Sequence, residues 1–235
     1  MAKREGYVRM LNVYIDYNEK INYTTELNGI SLIRNIKIEN DSDEDFESLY
    51  LEVVFQSEIM EKKYVKEFNL SKDTYYNLDI SDDLNINLAY LSMIEETGQH
   101  KFEINIIKES EIIFEKEYKF DILPYNHWLG VSVHPDLIAS FIAPNNKHIS
   151  RIVKDAAQIA SINNFSMSAY QSGLQRNVRN QINSIFESIK KLEINYVSVP
   201  PSFEEFGQKV RSIDEIIENK IANCLDIAVL AVIED

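Results

Sequence analysis

The hydrophobic periodicity of this chain changes near position 124, and that change limits the fold more than any other feature. Before this point, apolar and polar residues alternate, as in a strand that buries one of its faces. After it, apolar residues recur with a period of about 3.6, as on the buried face of a helix. The sequence therefore predicts an α+β protein whose strands precede its helices.

Alternating segments fill the first half of the chain. Turn-forming residues separate them, among them Asn28-Gly29 and the acidic run 40–43. Strands spaced by roughly ten to twenty residues, without intervening helices, predict an antiparallel β-sandwich of the immunoglobulin-like type. The alternating positions are residues 7–17; Ile30, Leu32, Ile36 and Ile38; Leu49, Leu51, Val53 and Phe55; Phe102, Ile104 and Ile106; and the even positions of 112–122.

Helical periodicity fills the second half. Two long amphipathic helices are followed by an extended, proline-containing segment at 199–202. A short helix then begins after Ser212, and Glu215 has the spacing of a capping box. The apolar faces of these helices are Ile149, Ile152, Val153, Ala156, Ala157 and Ala160; Val178, Ile182, Ile185, Phe186, Ile189 and Leu192; and Ile213, Ile216 and Ile217.

The last predicted helix differs from the others because it is apolar on all sides. Every residue in 227–233 is apolar, and Asp226 is the only charge near its start. Such a helix must be enclosed by other elements. Because a sheet normally follows in an α+β domain, we interpret this half as the helical part of a domain that continues in a larger protein.

These patterns predict three parts. A β-sandwich domain covers residues 1–123, a linker covers 124–134, and an incomplete helical domain covers 135–235. Trp128 lies in the linker, where we expect it to anchor one domain to the other.

Cys224 is the only cysteine of the chain and the one candidate catalytic residue. Asn223 is a favourable N-cap, which places Cys224 in the first helical turn. There the helix dipole and unpaired backbone N–H groups favour the thiolate, the nucleophilic form of the side chain. The alternative is an inert core cysteine, which is the commoner case. A nucleophile also requires a general base, and the sequence identifies none before Asp235.

Composition disfavours several classes of protein. Of the formal charge of −14, most is in residues 1–134, which carry 14 Lys and Arg against 26 Asp and Glu. Acidic surfaces repel phosphate groups, so nucleic-acid binding by this half is disfavoured. No apolar run approaches a membrane span, and a single cysteine fits a reducing cytoplasm.

Metal and cofactor sites are not predicted. The glycines form no phosphate-binding loop, and the acidic cluster 41–45 lacks the glycine and final glutamate of a calcium loop. The histidines lack the spacing of zinc ligands. They are His100, His127, His134 and His148.

A set of short motifs occurs in a fixed order in the second half. They are Tyr170-Gln171-Ser172, Tyr196, Pro200-Pro201-Ser202-Phe203-Glu204, Gly207-Gln208-Lys209-Val210-Arg211 and Cys224-Leu225-Asp226-Ile227-Ala228. In this order they resemble the N-terminal region of large bacterial multidomain proteins of the helicase–nuclease type, which are associated with phage and mobile-element defence. That region combines an immunoglobulin-like sandwich with a transglutaminase-like, papain-related module. Residues 28–34 and 123–130 also fit its sandwich half.

The resemblance implies a role for Cys224 as the nucleophile. In such modules the cysteine opens a buried helix, and a histidine and an acid follow on strands of the next sheet. This chain has no segment that matches that histidine or acid. It also has Ala222-Asn223 where the family usually has Gly-Thr.

Two functions remain open at this stage. The first is a non-catalytic interaction or regulatory module of a larger bacterial helicase-type protein, bound to a protein partner or to the downstream helicase or nuclease domains. The alternative is a cysteine-nucleophile acyl-transfer enzyme, a peptidase or transglutaminase, completed by residues beyond Asp235. Direct nucleic-acid recognition ranks last because of the charge.

Overall fold

The computed structural model describes residues 11–167, 171, 174–198 and 207–232. The chain divides into two compact units, with the boundary between Tyr125 and Asn126. β-Sheets make up most of the first unit, and helices make up most of the second. The protein is therefore α+β with its strands first, as the change of period predicts. The finer domain limits at residues 123 and 134 stay a prediction.

Eight described strands and two short helices form the first unit. The helices are α1 (Tyr23–Leu27) and α2 (Leu88–Leu91). The strands are β1 (Leu11–Tyr17), β2 (Lys20–Ile21), β3 (Ile33–Asn40), β4 (Phe46–Phe55), β5 (Tyr64–Leu70), β6 (Thr74–Asp79), β7 (Gly98–Lys108) and β8 (Glu111–Ile122).

These strands form two sheets that share one hydrophobic core. One sheet has the order β1-β3-β6, and the other has the order β2-β8-β7-β4-β5. Neighbouring strands are antiparallel, except that β2 pairs with β8 in parallel. That pair departs from the predicted all-antiparallel arrangement.

The predicted alternation appears directly in the burial of the central strands. Leu51 and Val53 are fully buried, and in the register of β4 with β7 they lie opposite Ile106 and Ile104. Ile112 is an exception, because its side chain is half exposed. The β7–β8 register shifts between the pairs Ile106–Phe114 and Ile107–Ile112, and this bulge moves Ile112 to the outer face.

The turn predicted at Asn28-Gly29 is the end of helix α1. Asn22 caps the helix: its side chain accepts a hydrogen bond from the Thr25 N–H at 3.1 Å, and the Thr25 side chain closes the capping box. Gly29 then leaves the helix with φ of +73°. A helix of five residues is too short to show a period in the sequence, so the alternation alone could not predict it.

The second unit contains four described α-helices, a 3₁₀ helix and two pairs of very short strands. The paired strands are β9 with β11, antiparallel, and β10 with β12, parallel. In chain order the elements are β9 (His127–Trp128), the 3₁₀ helix (Pro135–Phe141), α3 (Lys147–Ile162), α4 (Gln175–Lys190), β10 (Asn195–Tyr196), β11 (Gln208–Lys209), α5 (Ile213–Asn219), β12 (Ile221–Ala222) and α6 (Cys224–Ala231).

Helices α3 and α4 pack through small and branched side chains. The buried face of α3 includes Ile152 and Ala156, as predicted. The buried face of α4 includes Ser184 and Ser188, and the Ser188 hydroxyl donates to the Ile152 carbonyl at 2.9 Å. All four α-helices contribute to one hydrophobic core, which comprises Ile149, Ile152, Ile189, Ile213 and Leu230.

The structure describes the predicted linker around Trp128 but not the predicted extended segment. His127 and Trp128, in the predicted linker, form strand β9, and the Trp128 side chain is buried. The predicted extended segment 199–202 lies outside the described residues, as do the motif residues Tyr170, Ser172 and 200–204.

Candidate functional site

Helix α6 begins directly after strand β12, and Asn223 forms the junction. Its backbone is extended, and its side chain accepts a hydrogen bond from the Asp226 N–H at 2.9 Å. Asp226 Oδ2 in turn accepts from the Asn223 N–H at 2.9 Å. This reciprocal capping box confirms Asn223 as the N-cap and makes Cys224 the first residue of the helix.

Asp226 is fully buried and is held by donors from a second segment. Its Oδ1 accepts from the Arg211 backbone N–H at 2.8 Å, and its Oδ2 accepts from Arg211 Nη1 at 2.7 Å. A buried carboxylate is tolerated only when it is paired and hydrogen-bonded. Asp226 therefore fixes the start of α6 to Arg211, a structural use of the one charge in this helix.

The described residues cover helix α6 on one side, and its enclosure within a larger domain stays a prediction. Val229 and Leu230 face the core, whereas Cys224, Ala228 and Ala231 are exposed. The exposed positions follow helical spacing and define one face of α6. Two of them are alanines, and exposing such small apolar side chains to water costs little free energy.

The Cys224 thiol lies on this exposed face. It is therefore not the buried core cysteine of the alternative interpretation. Within the described residues, the hydrogen bonds at the start of α6 join Asn223, Asp226 and Arg211, and none involves the sulfur. The accessible thiol thus has a favourable helix position without a described base.

Two of the four histidines contact side chains other than Cys224. His148 Nε2 lies 3.3 Å from Asp214 Oδ1, a contact between α3 and α5. His100, on β7 of the first unit, contacts Gln56 Oε1 at 3.1 Å, and burial lowers its pKa. His127 lies in β9, and His134 precedes the 3₁₀ helix. In the described ranges, no three His, Cys, Asp or Glu side chains are grouped to hold a metal ion.

Helix α4 carries an apolar surface that its packing against α3 does not cover. Ile182 is 58% exposed and Phe186 is 56% exposed, and Val178 precedes them by one turn. We call Val178, Ile182 and Phe186 the α4 stripe. Lys190 lies 5.8 Å from the centre of the Phe186 ring, so the stripe has a basic neighbour. Adjacent exposed apolar side chains of this kind are typical of interaction surfaces.

Sequence reasoning found the N-cap and the candidate thiol but missed the Arg211–Asp226 pair and the α4 stripe. The Asn223–Asp226 spacing repeats the Ser212–Glu215 spacing, which the structure also shows as a capping box. The capping role of Asp226 could therefore have been predicted from this repeated spacing. Nothing in the periodicity distinguishes the exposed part of the α4 apolar face from its buried part.

Comparison with known proteins adds no assignment, since no protein-family model and no curated protein matches this chain. Among the described helices, none has the length and apolar character required to cross a bilayer.

Proposed function

We propose that this chain is a non-catalytic interaction or regulatory module of a larger bacterial helicase-type protein that acts in phage or mobile-element defence. Its partner is another protein or the helicase or nuclease domains downstream in the same polypeptide. The observation that carries the interaction role is the α4 stripe, where Ile182 and Phe186 are exposed on an otherwise amphipathic helix. The helicase and defence context rests on the ordered sequence motifs.

The same motifs support a finer description of the two units. We infer that the first is an immunoglobulin-like sandwich, which agrees with two sheets around one core. We infer that the second is the helical part of a transglutaminase-like, papain-related module, which agrees with a cysteine at the first position of α6. Fold analogy alone does not establish an activity, whereas an exposed apolar surface supports an interaction.

Two features favour interaction over catalysis by this chain alone. The Cys224 sulfur has no hydrogen-bonded base among the described residues, and Asp226 is held by Arg211. A thiol without a base at hydrogen-bond distance lacks the group that activates it in cysteine enzymes. The acidic charge of residues 1–134 disfavours a nucleic-acid partner for that half.

The interaction role is tested by binding in trans. Residues 1–235 and the remainder of the natural polypeptide are purified separately, and their affinity is measured by calorimetry. We expect the double variant Ile182→Asp, Phe186→Asp to reduce the affinity at least tenfold, because charged groups would enter an apolar contact. Asn183→Asp, an exposed neighbour on α4, is the matched control and should bind as the unaltered chain does.

Two results would contradict the stripe as the contact. One is equal binding by the double variant and the control. The other is a combination of two observations. The separate parts do not bind each other in trans, and the full-length protein keeps its defence activity when the double substitution is introduced.

The exposed position of Cys224 favours a second candidate function, acyl transfer. In such a reaction the sulfur attacks an acyl carbon and an amine leaves, after which water or a second amine takes the acyl group. Residues beyond Asp235 would supply the base. Turnover of peptide amides by the full-length protein, lost in Cys224→Ala, would support this function. Unchanged turnover in that variant would remove it.

A further inference from the structure

Strands β9 and β11 place four buried side chains on one face of a two-stranded ladder. Gln208 lies directly opposite Trp128, and the Val210 N–H donates to the Asn126 carbonyl at 2.8 Å. Opposite residues of an antiparallel pair project to the same side, and so do residues two apart along a strand. The exposed fractions of Asn126, Trp128, Gln208 and Val210 are 5%, 5%, 8% and 1%. We call this the Trp128 face.

Three of the four side chains carry polar atoms without a hydrogen-bond partner in the described part of the chain. The donors are Asn126 Nδ2, Trp128 Nε1 and Gln208 Nε2, and the acceptor is Gln208 Oε1. Buried polar groups in proteins are nearly always paired, so four unpaired atoms on one small face require an explanation. Because donors outnumber the acceptor, the missing partner must mainly accept hydrogen bonds and also donate one.

Water has this combination of donors and acceptors. A buried water molecule makes about three hydrogen bonds to polar groups that otherwise lack partners. A water molecule can accept two hydrogen bonds, from donors such as the Trp128 indole and the Asn126 amide, and can donate to an acceptor such as Gln208 Oε1. The burial of all four side chains favours a small occupant over an organic ligand.

We propose that the Trp128 face is an internal hydration site, in which ordered water completes the hydrogen bonds of Asn126, Trp128 and Gln208. The site would position the segment from Gln208 to Arg211, which contacts the first turn of α6, the helix that carries the candidate thiol. Gln208 is followed by Val210, which pairs with Asn126, and by Arg211, which holds Asp226 in the first turn of α6. Bound water on this face therefore stabilises the ladder from which Arg211 extends. The proposal does not depend on the interaction role or on catalysis.

The single tryptophan of the chain permits a direct test by NMR. A ¹⁵N-labelled protein gives one indole N–H signal, so its assignment is unambiguous. We expect a cross-relaxation signal between this proton and a long-lived water molecule. In Gln208→Met, which keeps the side-chain volume but removes the amide, we expect that signal to weaken. We also expect Tm to fall by about 2–4 °C and the Arg211 amide to exchange faster with solvent.

The same substitution at an exposed site provides the control. Gln158→Met, on α3, should leave the indole signal and Tm unchanged. The proposal is overturned if the unaltered protein shows no water–indole signal. It is also overturned if Gln208→Met raises Tm, because replacing an unsatisfied buried amide by an apolar side chain of similar shape is stabilising.

Discussion

Glu26, at the end of helix α1, has a carboxyl group that burial keeps partly protonated near neutral pH. Burial raises its pKa from 4.5 to about 7, against a smaller lowering by the Leu32 backbone N–H. Its Oε1 has no partner among the described residues. The folded protein therefore holds this proton more tightly than the unfolded chain does, and the associated stability is lost as the pH rises.

We predict a pH dependence of stability that Glu26→Gln removes. The contribution of Glu26 is fully present below about pH 4.5 and disappears as the pH rises through about 7. The free energy of unfolding of the unaltered protein should fall relative to Glu26→Gln by about 1–3 kcal/mol between pH 5 and pH 8. Urea unfolding across this range measures the difference. Parallel pH profiles for the two proteins would contradict the assignment.

Gly207 occupies a position where both backbone conformation and space require glycine. Its φ is +76°, and an added Cβ would lie 2.0 Å from the Trp128 carbonyl oxygen and 2.9 Å from Leu129 Cα. We expect Gly207→Ala to lower the free energy of unfolding by about 2–4 kcal/mol. Gly29 is the matched control, because its φ is +73° but no atom lies within 4 Å of the added Cβ.

Comparing Gly207→Ala with Gly29→Ala separates the cost of backbone strain from the cost of steric overlap. Gly29→Ala should cost only about 1 kcal/mol, the backbone part of the effect. Equal losses for the two variants, measured by urea unfolding, would show that the contact with Trp128 and Leu129 is unimportant.

At the scale of the element, the start of helix α6 depends on a buried ion pair. Arg211→Met would leave the Asp226 carboxylate buried without its charged partner, although the Arg211 side chain is partly exposed, which moderates the effect. We expect a loss of about 2–4 kcal/mol in the free energy of unfolding. Lys209→Met is the control, because Lys209 is exposed and Glu215 is only half-buried, so we expect this pair to contribute less than about 1 kcal/mol.

A double-mutant cycle with Asp226→Asn isolates the pair. The two substitutions together should cost less than the sum of the single losses, because Arg211 and Asp226 act on each other. If the losses in the free energy of unfolding were additive, the Arg211–Asp226 pair would not stabilise the start of α6.

Regular periodicity and capping chemistry were the parts of the fold that could be predicted from the sequence. The inward residues of β4 and β7, the capping box at Ser212 and the N-cap at Asn223 depend on neighbours in the chain. The bulge beside Ile112 and the exposed face of α6 depend on tertiary packing instead. In an all-apolar helix, composition cannot indicate which face meets the core, so the exposure of Cys224 was not predictable.

At the scale of the whole molecule, the chain combines an acidic β unit with a helical unit that exposes one apolar stripe and one thiol. Like charges disfavour contact between the acidic half and nucleic acid, whereas Ile182 and Phe186 favour contact with protein. The stripe and Cys224 lie on different helices, α4 and α6, so substitutions can separate the two candidate functions.

The most direct test of the proposed function compares two variants of the proposed larger protein in one phage-protection assay of bacterial cultures. One variant is Cys224→Ala, and the other is the double substitution Ile182→Asp, Phe186→Asp, with circular dichroism used to verify that both are folded. We predict that Cys224→Ala retains protection and that the double substitution abolishes it. Loss of protection in Cys224→Ala, with full protection in the double variant, would contradict an interaction module and favour catalysis.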